Sequence, residues 1–108
     1  MINIEYFEEL AQGDENIKNR LLKLVHKELV SEREELEKEF SKLYDTGAER
    51  AKVLHEIKPK FKMFNMEEEF IRADEYDKQL REGQNAPETC EMIIHDIDRL
   101  LNFLEKYR

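Results

Sequence analysis

From Ile17 to Leu104, apolar residues return every three or four positions and nowhere alternate with the period of a strand. That rhythm commits the chain to amphipathic helices. Asp14, directly after Gly13, is placed to cap a helix whose stripe is Ile17, Leu21, Leu24, Val25, Leu29, Leu36, Phe40 and Leu43. The predicted element runs from about Glu15 to about Tyr44. Its stripe thins across Ser31–Glu35, where a bend is expected. Asp45-Thr46-Gly47 ends it, because glycine takes a left-handed cap at least cost.

A second helix is predicted over Ala48–Phe64, with Val53, Leu54, Ile57, Phe61 and Phe64 on its apolar side. Asn65 tolerates the left-handed conformation and so can close it, and Asn65 to Glu68 has the spacing of a cap for the next helix. That third helix spans about Met66 to Glu82, with Met66, Phe70, Ala73, Tyr76 and Leu80 interrupted by Glu69 and Asp77. Gly83-Gln84-Asn85 makes a turn, and Pro87 suits the first turn of a last helix. Cys90, Ile93, Ile94, Ile97, Leu100, Leu101 and Leu104 form its stripe. Tyr6, Phe7 and Leu10 suggest a short helical lid before all of these. Short turns favour antiparallel neighbours, so the expected fold is all-α: an antiparallel up-down-up-down four-helix bundle with a short N-terminal helix, one domain over residues 1–108.

Composition narrows the function. Charged residues make up 41% of the 108 but are evenly mixed with apolar ones, which argues against disorder. No apolar run approaches the roughly 18 residues of a membrane span, and MINIEYFEEL has neither the basic start nor the apolar block of a signal peptide. A single cysteine, Cys90, fits a reducing cytoplasm. A net charge of −8 argues against nucleic acid as a partner.

Three histidines fall on three different helices. His26 lies at the edge of its apolar stripe and His95 points away from its own, so both read as ordinary solvated side chains. Cys90, on the core face, reads as a small hydrophobe. No close ligand spacing supports a metal site. His55 differs. Within about 60° of it on the helix stand Ala48, Ala51, Lys52, Lys58, Pro59 and Lys62, three small or short and three cationic, with no carboxylate among them. The window Glu49–Lys62 carries net charge +3, leaving −11 on the rest of the chain. A cationic patch on an acidic protein steers toward an acidic surface or a phosphate. A largely neutral imidazole offers a ring nitrogen as a nucleophile, and attack on an acyl phosphate would give phosphohistidine, its charge met by Lys58 and Lys62. There is no glycine-rich phosphate cradle and no acidic cluster for a magnesium ion, so a partner must supply most of the machinery.

At these residues the chain resembles the histidine-containing phosphotransfer (HPt) domains. The resemblance rests on Leu54-His55-Glu56-Ile57-Lys58-Pro59, then Phe61, Met63-Phe64-Asn65 and Met66, together with the leading Phe7-Glu8-Glu9-Leu10-Ala11-Gln12-Gly13-Asp14. It covers essentially the whole chain in helix order. In that family a histidine on the second bundle helix shuttles a phosphoryl group between receiver aspartates, and a lysine three residues on, here Lys58, belongs to the motif. Pro59 and Asn65 stand where the family usually has glycine. Pro59 also has no N–H to give the His55 carbonyl, so the helix should kink or loosen beside the histidine.

The resemblance implies a cytoplasmic phosphorelay carrier with no cofactor of its own. His55 would react through Nε2 and Lys58 would stabilise phosphoryl charge. Lys52 and Lys62 would dock an acidic rim, while Ala48, Ala51 and Pro59 keep the approach open. The implied partners are response-regulator receiver domains, which bring the Mg2+, and a hybrid sensor histidine kinase. The alternative is a catalytically inert helical adaptor that binds a receiver without transfer. The initial Met and the complete last helix favour a free-standing protein, and the well-filled stripes favour a monomer.

Overall fold

A computed structural model describes residues 1–40 and 47–107. Its elements are α1 (Glu5–Ala11), α2 (Glu15–Phe40), α3 (Ala48–Met63), α4 (Glu67–Arg81) and α5 (Pro87–Leu104), with a 3-10 turn at Glu105–Tyr107. Every described element is helical. The expected end of the first long helix at Leu43–Tyr44, and the Asp45-Thr46 part of its stop, lie outside the described residues.

The local signals at helix ends are present. Asp14 Oδ1 accepts from the N–H groups of Asn16 at 3.0 Å and Ile17 at 3.1 Å, which satisfies donors the first turn of α2 cannot pair internally. Asn65 is left-handed, with φ 62°, and closes α3. It does not cap α4: Met66 holds that position, and no side chain makes a cap bond there. Gly83, with φ 81°, ends α4 while Gln84 N–H reaches back to Gln79 O at 2.9 Å. Pro87 occupies the start of α5, where its missing N–H costs nothing.

α2 packs on α3 and α5, α3 on α4, and α4 on α5. Between them runs one buried cluster that includes Leu22, Leu29, Leu54, Ile57, Phe61, Tyr76, Ile93, Ile97 and Leu104. Phe7 brings α1 onto it, its ring 4.9 Å from that of Phe64. On α2 the inward face is Leu22, Val25, Leu29 and Leu36. Ile17 and Leu24, counted in the stripe from spacing, instead face outward, 45% and 52% exposed.

The gaps in the stripes have a common cause. Glu32, Glu69 and Asp77 hold positions where spacing asks for an apolar residue, and each is buried and paired. Glu32 takes Lys60 of α3 at 2.9 Å, Glu69 takes Arg99 of α5 at 2.5 Å, and Asp77 takes Lys58 of α3 at 2.8 Å. Asp96 of α5 likewise takes Arg72 of α4. Through Ser31–Glu35 the helix runs unbroken, and the thin stretch is Glu32 turned inward.

Glu32 gives a pH prediction. Burial raises its carboxyl above the ordinary glutamate value against the opposing bond from Lys60. A carboxyl raised in the native state binds its proton more tightly folded than unfolded. Its contribution therefore becomes more favourable as pH falls through the window between the folded and unfolded values. Glu32→Gln removes that titration. Thermal melts from pH 7 down through the carboxylate range should shift the stability difference toward the wild type as acid is added.

Candidate functional site

The apolar side of α3 fixes where His55 points. Leu54 and Ile57 are fully buried, so the residue between them that lies opposite is turned out, and His55 is exposed. It lines an open groove of about 330 Å³ with Ala48, Ala51, Lys52 and Glu56 of α3 and Arg81 of α4. The two alanines line this groove beside the histidine. Glu56, placed further round by spacing, shares the groove.

Lys58 is not free beside the histidine. Its Nζ lies 2.8 Å from Asp77 Oδ2 and 3.1 Å from Asp74 Oδ1, with only 13% of the side chain exposed. Burial pulls the ammonium down, but the bonds to Asp77 and Asp74 outweigh it and hold Lys58 above the ordinary lysine value. Asp74 is held below the ordinary aspartate value by its bonds from Lys58 and Lys78. Asp77, its side chain 2% exposed, also accepts from Arg81 Nη2 at 3.1 Å. One buried carboxylate thus ties together a cation on each of two helices.

The cationic patch divides on folding. Arg50 turns inward, donating to Tyr76 Oη at 2.5 Å and Asn85 Oδ1 at 2.7 Å, and so fastens α3 to α4 and the turn after it. Burial and contact with Cys90 raise the Tyr76 hydroxyl well above the ordinary tyrosine value. Lys60 is buried against Glu32, with Glu28 at 3.3 Å. Lys62 sits over the Phe70 ring at 4.8 Å and 3.7 Å from Glu67, away from the His55 groove. Lys52 is exposed in the groove and makes no ion pair with a described residue.

Pro59 is exposed, but it lines a separate groove between α2 and α3 with Val25, Glu28 and Met63. α3 continues through it to Met63 without interruption. Of the three histidines, His95 is exposed as expected. His26 is not solvated: its side chain is 13% exposed, Nε2 is buried, and Glu105 lies 3.7 Å away. Cys90 is fully buried.

Arg81 is the cation that spacing missed. A helical wheel counts only the histidine's own helix, and Arg81 reaches the groove from the last turn of α4. Its only advance signal is its place at the end of the element that follows the histidine helix. No family model, curated protein or solved structure matches this chain. Among the described residues, no helix is long and apolar enough to cross a membrane.

Proposed function

We propose that the chain is a phosphorelay carrier of the HPt type, an up-down-up-down bundle acting in the cytoplasm. His55 takes a phosphoryl group from a receiver aspartate, or from a hybrid sensor kinase, and passes it to another receiver. The observation that carries this reading is an exposed imidazole in an open groove that it shares with two alanines, Lys52 and Arg81. In the forward step the lone pair of Nε2 attacks phosphorus. The bond to the aspartyl oxygen breaks, and the carboxylate leaves with that electron pair. The receiver supplies the aspartate and the Mg2+. This chain supplies the nucleophile, an unobstructed approach and positive charge for the equatorial oxygens. Lys52 is available at once. Lys58 and Arg81 reach the phosphoryl by exchanging carboxylate bonds for phosphoryl bonds.

The pairing of Lys58 with Asp74 and Asp77 favours a second reading, an inert adaptor that docks a receiver through the same groove. Incubation with phosphorylated receiver domains separates the two. A carrier gains an acid-labile, base-stable phosphate by intact mass. An adaptor binds and gains none.

A further inference from the structure

The exposed side of α2 carries a charge order that the fold of one chain uses only in part. From Asn16 to Lys27 the helix holds four Lys or Arg and no carboxylate; from Glu28 to Glu39 it holds six carboxylates and two cations. Each half therefore carries a net charge of four, positive then negative. Beyond its first and last turns this order runs opposite to the helix dipole, so the dipole does not account for it. Arg20, Lys23 and Lys27 in the first half, and Glu34 and Glu35 in the second, are exposed and form no ion pair with a described residue.

Within about 40° of Leu24 on the wheel lie Ile17, Arg20, Glu28, Ser31, Glu35 and Lys38, with Lys27 at about 60° on one edge. All are exposed. The stripe runs from Ile17 to Lys38, about 32 Å at the helical rise. It contains Ile17 and Leu24, the two large apolar side chains of α2 that are exposed. At its centre is a groove of about 400 Å³ lined by Leu24, Lys27, Ser31 and Glu35 of α2 with Glu56 of α3.

We infer that two copies of this chain pair through this stripe, α2 against α2, antiparallel about a two-fold axis between Lys27 and Glu28. A two-fold axis requires that if one residue meets a second, the second meets the first. Placed there, the stripe satisfies this with opposite charges at each polar step. Arg20 faces the partner's Glu35, Lys27 faces the partner's Glu28, and Leu24 sits over the partner's Ser31, small enough to receive it. Ile17 covers the stem of the partner's Lys38. A parallel pairing would set like charge against like along the whole helix. The contact has little apolar area and many exposed charges, so the dimer is weak and salt-sensitive. It does not depend on the reading of His55.

Sedimentation velocity over a range of concentrations tests it. At low salt the full chain should move from monomer to dimer as concentration rises, and added salt should reverse this. Arg20→Glu alone and Glu35→Arg alone should each leave only monomer. The double variant, which restores opposite charge at both symmetric contacts, should recover the dimer. Lys27→Glu with Glu28→Lys repeats the test at the neighbouring pair. Circular dichroism confirms folding for each variant, and none of these side chains is in the core. A wild type that stays monomeric at every concentration and low salt overturns the inference. So does a dimer indifferent to the single reversals, or a double variant that fails to recover it.

Discussion

On the carrier reading, His55→Gln should take up no phosphate from any receiver that phosphorylates the wild type, while its circular dichroism and melting temperature stay where they were. Both halves of that result follow from one geometry. The imidazole stands on the exposed face of α3, so its replacement removes no core contact and shifts stability by no more than about 0.5 kcal/mol. Glutamine is similar in length and polarity but its amide nitrogen is no nucleophile, so the loss of transfer should be complete rather than partial. Intact mass after incubation with a phosphorylated receiver measures uptake, and a melt on the same sample measures folding. Transfer that survives the substitution would move the site to His95, the other exposed histidine.

Phe61→Ala has the opposite profile. Phe61 is fully buried on the inner face of the same helix, in the cluster that α3 shares with its neighbours. Truncating a buried phenylalanine costs about 3–5 kcal/mol, transfer and cavity effects together. A domain of this size has roughly 5–15 kcal/mol in total. The melting temperature should therefore fall by more than about 12 °C. At temperatures where the variant is still folded, His55 should accept phosphate near the wild-type rate, because the groove residues are unchanged. A variant that melts like the wild type would mean that Phe61 is not in the core. The two results together would assign one face of α3 to chemistry and the other to the fold.

Several helix boundaries were legible because they are set locally. Asp14 caps its own first turn, Asn65 and Gly83 take left-handed conformations, and Pro87 starts a helix. Exposure of His55 was legible for the same reason, since its close neighbours Leu54 and Ile57 fix the inward face of the helix. What failed depends on which helix lies alongside. Spacing put Ile17 and Leu24 in the core, but the side of α2 that meets α3 and α5 runs through Leu22, Val25, Leu29 and Leu36. It likewise counted Lys58 and Lys60 as free charge, because Asp74 and Asp77 reach Lys58 from α4, and Glu28 and Glu32 reach Lys60 from α2. Arg81 joined the groove by the same route. Ion pairs between elements are written in two distant stretches of sequence, and neither stretch alone carries the signal.

Asp77 holds Lys58 and Arg81 with one carboxylate oxygen, so the two cations compete for a common partner. Drawing either one away leaves the other in sole possession of that oxygen. On the carrier reading both reach a phosphoryl group at His55, and their contributions should then fail to add. The loss from removing both should differ from the sum of the separate losses, and a double-mutant cycle on Lys58 and Arg81 would report that difference as a coupling. The groove would respond to an incoming phosphate as a linked pair of charges exchanging one counter-charge, rather than as two independent contacts.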